Sequence, residues 1–292
     1  MVLKKNLIVI GGSINYFSKF VRGLLEKRDF EEIKRIALEQ AEEGADYINV
    51  NVGLLPVEVM EEAVKAVQEV VDKPLCIDSG DPFKLKAGLE AYDLDIGGGM
   101  PPLLNSATEV RASSVFSLKR RKDCCVVLLI SERFQGGSLK PNISTEELYE
   151  TAKRLFIKAV RYGFEPEELF ADLGLYPLAV DEEGMVNVVL ETMEKIKKSP
   201  QMNRMHLMVG LTNLTKGLPS KEDIGRDIKI PLQKAFLKIG MEKGLDTVIW
   251  NPASRNVEYD EETEKFYLDK LKEILNLGGI KKIKKIKELY LK

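Results

Sequence analysis

Short apolar runs alternate with stretches of helical period along the whole chain. The apolar runs are Asn6–Gly12, Tyr47–Val52, Pro74–Ser79, a short one ending at Asn105, Cys124–Ser131, Leu169–Leu173, His206–Thr212 and Thr247–Trp250. Each is bounded by Gly, Pro, Asp, Asn or Ser and reads as a strand. Between them, apolar residues recur three and four apart. Ile33, Ile36, Ala37 and Ala41 do so within Asp29–Gly44, where Gly44 is the stop. The same period marks helices over Val57–Val71, Pro82–Tyr92, Glu109–Arg121, Ser144–Tyr162, Asp181–Lys198, Ile230–Gly244 and Glu261–Leu277. Asp81 or Ser79 caps the helix at Pro82, and Ser144-Thr145-Glu146-Glu147 opens its helix as a capping box.

No strand alternates polar with apolar residues, so both faces of each are covered, as in a parallel sheet. Eight strands alternating with about eight helices predict an α/β fold closed as a (β/α)8 TIM barrel. An open doubly wound sheet is disfavoured, because Gly11-Gly12-Ser13 after the first strand is not a G-x-G-x-x-G phosphate turn. The expected unit is one barrel domain over 1–292, with a Lys-rich helical tail at 278–292. Residues 132–143 form the longest polar segment after a strand, and Gly136-Gly137 and Pro141 point to a mobile flap.

Composition narrows the function classes. The 292 residues are 44% hydrophobic and 31% charged, with a net charge of 44 − 46 = −2, so no global basic field awaits nucleic acid. No apolar run is long enough to span a membrane and no leader precedes the first strand, so the expected location is the cytoplasm. Cys76, Cys124 and Cys125 lack C-x-x-C spacing and read as small buried hydrophobes rather than a disulfide or zinc set. The tail Lys281–Lys287 reads as a solvated helix with one apolar face, with a membrane or acidic-partner surface as the alternative.

Chemistry is sought at the C-terminal ends of the strands, where such barrels carry their sites. The residues there are Asn15, Asn49, Asn51, Asp78, Asn105, Glu132, Asp172, Asn213 and Asn251. Amides dominate, and the one histidine, His206, begins its strand and so faces the opposite end. Histidine general-base catalysis and a His-ligated metal are therefore disfavoured, a Ser-His-Asp triad cannot be assembled, and no metal is expected. A carboxylate accepts two N–H bonds from an aminopyrimidine-like edge, and amides meet carbonyl and N–H groups side by side. Asp78, Asn105, Asp172 and Asn213 together favour a pterin- or purine-like ligand. Capping of the next helix is the alternative role for each residue taken alone.

At these residues the chain resembles the pterin-binding methyltransferases. That family includes methyltetrahydrofolate:corrinoid/iron–sulfur protein methyltransferase and the folate-binding region of cobalamin-dependent methionine synthase, with dihydropteroate synthase a more distant relative of the same fold. The resemblance runs from Ile8 to about Ala253, through Ile14-Asn15, Gly44–Gly53, Cys76-Ile77-Asp78-Ser79, Leu104-Asn105-Ser106, Gly163–Asp172, Gly210–Thr215 and Gly244-Leu245-Asp246. It implies that Asp78, Asn105 and Asp172 hold the pterin edge with Asn15 and Asn51, that Gly210 lets the backbone approach, and that catalytic Asn213 sits at N5.

The implied reaction moves a methyl group between N5 of methyltetrahydrofolate and the cobalt of a corrinoid (cobalamin) carried by a partner protein, within one-carbon metabolism. A homodimer is implied too. The chain departs from the family pattern at Gly12 (commonly Glu), Asn49 (commonly Asp), Leu173 (commonly Pro) and Lys216-Gly217-Leu218-Pro219. A non-catalytic pterin-binding subunit is the alternative. Another pterin-condensing enzyme is the second, although Ser254-Arg255-Asn256 lacks the closing Arg-x-His of dihydropteroate synthase.

Overall fold

The computed structural model describes residues 7–291. Ten strands occur in it: β1 Ile8–Asn15, β2 Tyr47–Asn51, β3 Leu75–Asp78, β4 Leu103–Ala107, β5 Cys125–Leu129, β6 Glu132–Gln135, β7 Ser138–Pro141, β8 Leu169–Asp172, β9 His206–Gly210 and β10 Thr247–Trp250. Eight of them close into a parallel barrel in the order β1-β10-β9-β8-β5-β4-β3-β2. The (β/α)8 barrel expected from the alternating pattern is present.

The helices are α1 Lys19–Lys27, α2 Phe30–Glu42, α3 Val57–Gln68, α4 Pro82–Ala91, α5 Ala112–Phe116, α6 Thr145–Arg161, α7 Met185–Lys197, α8 Lys221–Ile224, α9 Lys229–Glu242, α10 Ala253–Asn256, α11 Glu261–Leu275 and α12 Gly279–Lys287. Asp81 accepts the Phe83 amide and caps α4, and Ser144 accepts the Glu147 amide and caps α6. No helix among the described residues is long and apolar enough to cross a membrane.

Covering both faces divides the apolar residues into two sets. The larger packs between sheet and helices. The smaller fills the barrel: Ile10, Tyr47, Cys76, Leu103, Cys125, Val127, Phe170 and Met208 form a separate buried cluster. Strand side chains point alternately in and out. The inward series of β2 is therefore Tyr47, Asn49, Asn51, that of β3 is Cys76, Asp78, and that of β8 is Phe170, Asp172. The apolar members plug the barrel and the polar ones come last, at its C-terminal mouth. His206 lies at the other end, stacked on Phe170 at 4.3 Å between ring centroids and 3.1 Å from Asp246.

Several local expectations need correction. The first strand does not stop at Gly12 but runs to Asn15, because the register shifts between Gly11 and Ile14. The Gln40 side chain fills that bulge and accepts the Ser13 amide at 2.8 Å. Asn6, where that strand was expected to begin, is outside the described residues. Helix α1 was not anticipated. The helix expected over Glu109–Arg121 starts only at Ala112, leaving Arg111 in the loop, and gives way to a 3-10 turn at Ser117.

The segment 132–143, expected as a polar loop, carries the β6–β7 hairpin over Glu132–Pro141. Gly136 and Gly137 both have positive φ, 63° and 82°, as a two-residue hairpin turn requires. Arg133 ties the hairpin to Glu147 at 2.7 Å and to Asn142 at 2.9 Å, and the Phe134 amide donates to Glu109 at 2.6 Å.

The Lys-rich tail also differs from a solvated helix. Its Lys282 is completely buried and pairs at 2.6 Å with Asp181, which is equally buried. Asp181 also accepts the Met185 and Val186 amides that open α7. One carboxylate therefore joins the tail helix to α7. Removing one partner of a buried pair leaves the other charge unmatched. Lys282→Ala is expected to lower unfolding free energy by about 3 kcal/mol in urea titrations. A loss below about 1 kcal/mol, the size of an exposed pair, contradicts this role.

Candidate active site

Six of the residues expected at the site come together around the mouth. Asn15 pairs in register with Asn51, and Asp78 with Asn105. Asn49 donates from Nδ2 to Asp78 Oδ2 at 3.3 Å, and the Asn51 side chain is a second hydrogen-bond partner of Asp78. Asp172, at the tip of β8, is close enough for the charge of Asp78 to act on it.

Asn15, Asn51, Asp172 and Asn251 each accept the amide two residues ahead, from Phe17, Gly53, Gly174 and Ala253 at 2.9–3.1 Å. The capping alternative weighed from sequence is thus partly realised: one oxygen of each shapes the strand exit. Asn251 is exposed and lies outside the ring of contacts around Asp78.

Burial dominates the electrostatics. It pushes the Asp78 carboxyl above the ordinary carboxylate range, against the Asn51 and Asn49 amides and the Arg111 guanidinium. Burial likewise pushes Asp172 up to about 6, opposed by the Gly174 amide and reinforced by Asp78. The Cys76 thiol below them is raised well above its usual value by burial, so it stays a neutral hydrophobe in contact with Asn105. Raised acids oppose folding at neutral pH, and a fold that retains two of them in one cleft marks that cleft as functional.

Asn213 stands apart from this ring. Strand β9 ends at Gly210 rather than Thr212, and Leu211–Thr215 form a 3-10 turn that carries Asn213 exposed at the surface of the mouth. Its amide folds back over the strand end, because a Cβ on Gly210 would lie 3.0 Å from Asn213 Nδ2. Any larger residue at 210 would press on that amide. Gly12 is constrained in the same way: a Cβ there would lie 2.9 Å from Ile249, so the Glu common in the resembling family does not fit this barrel without a shift of Ile249.

Sequence reasoning missed Arg111. Its Nη2 donates to Ser106 Oγ at 3.3 Å, and it faces Asp78 and Glu132. Its Nη1 would sit 3.0 Å from a Cβ on Gly80. Burial lowers its pKa, while both carboxylates favour the charge. The polar run Thr108-Glu109 before it is the local signal for the loop that holds it, ahead of α5 at Ala112.

Among the described residues no group of three or more His, Cys, Asp or Glu side chains is arranged to hold a metal ion. The ring offers two carboxylate acceptors and an amide, a set able to meet a donor-rich edge. Asp78 and Asp172 accept N–H groups, and Asn105 both donates and accepts.

Comparison with known proteins agrees with this chemistry. The family model described as "Pterin binding enzyme" matches residues 15–251. A methylcorrinoid:tetrahydrofolate methyltransferase from Eubacterium limosum is 28% identical over 255 residues, covering 86% of this chain and 87% of that one. Dihydropteroate synthase from Xanthomonas albilineans, solved with 4-aminobenzoic acid, superposes with a TM-score of 0.58 at 15% identity over 94% of this chain and 95% of that chain. The Stenotrophomonas maltophilia dihydropteroate synthase gives 0.60 at 14%, covering 94% of each chain. At those identities the two synthases share the fold.

Asn49 invites a direct test. It is 1% exposed, it donates to Asp78, and its Oδ1 has no hydrogen-bond partner among the described residues. Asn49→Asp would replace the donor with a second carboxylate beside Asp78, and the pair would hold a proton well above the unfolded-state pKa of about 4. An acid whose folded pKa is raised costs stability as pH rises through that pKa. The Tm gap between wild type and Asn49→Asp should therefore widen from about pH 5 to about pH 8. A gap that does not change with pH contradicts the described contact.

Proposed function

We propose that this chain, which belongs to the family of pterin-binding enzymes, is a methyltransferase moving a methyl group between N5 of tetrahydrofolate and the cobalt of a corrinoid protein. The observation that carries this reading is the cluster of Asp78, Asn105 and Asp172 at the barrel mouth, whose acceptors and amide suit a pterin edge, with Asn213 on the neighbouring turn beside Gly210. The name of the E. limosum relative supports the substrate pair.

In this reading Asp78 and Asp172 accept N–H groups of the pterin, while Asn105 meets a mixed donor–acceptor position. Asn15 and Asn51 shape the exits and brace the ring. The reacting nitrogen becomes an ammonium when it carries both the methyl group and a proton. An amide does not titrate, so Asn213 is not the acid. Its carbonyl oxygen can instead accept from N5–H⁺ and stabilise the charge, and preorganised contacts of that kind are worth about 3 kcal/mol. Asp172, pushed up to about 6, is the group in the ring able to exchange a proton near neutral pH. The corrinoid, carried by its own protein, gives or receives the methyl group as a substrate.

That second substrate needs a landing surface. Large apolar residues stand exposed after each of β1 to β4: Phe17 (80%), Leu54 (87%) and Val110 (56%) in loops, and Phe83 (73%) in the first turn of α4. Strands β1 to β4 are consecutive neighbours in the barrel, so these residues crown one half of the mouth. Concentrated exposed apolar surface marks an interaction site. Set on the same mouth as Asn213, it suits the corrinoid protein, whose cobalt must reach the methyl group in line.

Two measurements test the reading. Asn213→Ala should lower kcat by about 100-fold while changing the affinity for methyltetrahydrofolate less than about threefold. Equal loss of both, or no loss of turnover, removes Asn213 from the transition state and favours a pterin-binding subunit without catalysis. Leu54→Asp combined with Phe83→Asp should raise KM for a methylcorrinoid protein by about tenfold and leave pterin affinity unchanged. An unchanged KM places the docking surface elsewhere.

A further inference from the structure

The turn that carries Asn213 is fastened at both ends to β10. At its start, Gly210 pairs in register with Ile249. At its end, the buried Thr215 accepts at Oγ1 from Gln233 Nε2 at 2.7 Å. Gln233 stands on α9 and turns its Oε1 to Trp250, whose indole N–H donates to it at 2.7 Å. Trp250 directly follows Ile249, so the relay returns to the strand that anchors the start of the turn.

The direction of the relay is fixed by its first member. An indole nitrogen only donates, so the Gln233 oxygen faces Trp250 and the Gln233 amino group faces Thr215. Thr215 Oγ1 therefore accepts, and its own hydrogen is left for another partner. That partner is the Thr212 carbonyl, at 3.5 Å. The Thr212 carbonyl belongs to the peptide unit that joins Thr212 to Asn213. On the other side, the Asn213 carbonyl accepts the Lys216 amide at 3.1 Å. Asn213 is thus held through the peptide units before and after it.

Packing alone does not call for such an arrangement. Leu232, Phe236 and Leu237, near Gln233 along α9, are completely buried, and Gln233 itself is buried with them. An amide in that position costs free energy unless both of its ends are bonded, and here both are. Asn213, by contrast, is exposed, so the reach of its side chain depends on the backbone beneath it.

We propose that Gln233 and Thr215 are positioning residues, which hold the turn so that the Asn213 carbonyl oxygen stands ready for the reacting nitrogen. This role rests on the methyltransferase reading above, and both residues act through Asn213 rather than on the substrate. In that reading the pterin edge is held by Asp78, Asn105 and Asp172, on strands the relay does not touch. Asn213 contributes where charge develops. Loosening its turn therefore slows the reaction and spares binding.

The test replaces Thr215 with valine, which keeps the shape and removes the hydroxyl, and with serine, which keeps the hydroxyl. It is run at a temperature where every variant is folded. Thr215→Val should lower kcat for methyl transfer from methylcobalamin to tetrahydrofolate by about tenfold and change tetrahydrofolate affinity less than about twofold. Thr215→Ser should keep kcat within about threefold of wild type. Amide hydrogen exchange in a peptide spanning 211–218 should speed up in Thr215→Val and not in Thr215→Ser, with exchange in β4 unchanged in both. Gln233→Met cuts the relay one link earlier and should give the valine pattern, which serves as the test if Thr215→Val does not fold. An unchanged kcat, an equal loss of kcat and affinity, a serine variant no better than valine, or unchanged exchange in the turn overturns the positioning role and leaves the methyltransferase reading standing. Wild type that transfers no methyl group from methylcobalamin overturns that reading, and the positioning role with it.

Discussion

Closure of the barrel is the constraint on which the rest depends. A parallel strand with neighbours on both edges must bury both faces, so its inward side chains fill a space with no water. Tyr47, Cys76, Phe170 and Met208 do that in the middle of the barrel. Polar groups are affordable only toward the mouth end of the inward rows, where the barrel opens. Asn51, Asp78, Asn105 and Asp172 lie there, with Asn49 one inward position below Asn51, and the electrostatics follow: burial outweighs the amide donors and lifts both acids. The same rigid wall fixes their spacing.

Much of this was legible in the sequence because it is local and periodic. Thr247–Trp250 was read to the residue, and Asp78 and Asp172 close their strands as the ends of the apolar runs indicate, whereas β4 runs past Asn105 to Ala107. Boundaries failed where a tertiary contact decides them. Gln40 reaches from α2 to shape the bulge that carries β1 on to Asn15. Gly136-Gly137 is a hairpin signal, but the hairpin around it is held by Arg133, Glu147 and Glu109, residues from three separate segments.

Long-range charge was the least legible feature. Nothing local distinguishes Lys282 from the other lysines of the tail, and only the fold brings it to Asp181, 101 residues away in sequence. Arg111 was hidden for a different reason: assigning Glu109–Arg121 to a helix put it on a helix face, while the structure leaves it in the loop over Ser106 and Asp78. A glycine pattern could have hinted at its place, since Gly80 makes room for the guanidinium.

The mouth sets exposed apolar residues after β1 to β4 around a polar centre, and the ligand of that centre decides the function. The most direct measurement is a crystal structure of the protein with tetrahydrofolate bound. The account predicts the pterin edge within hydrogen-bond distance of Asp78, Asn105 and Asp172, with N5 turned to Asn213. A pterin seated elsewhere on the barrel, or a mouth without ligand at saturating tetrahydrofolate, would contradict it.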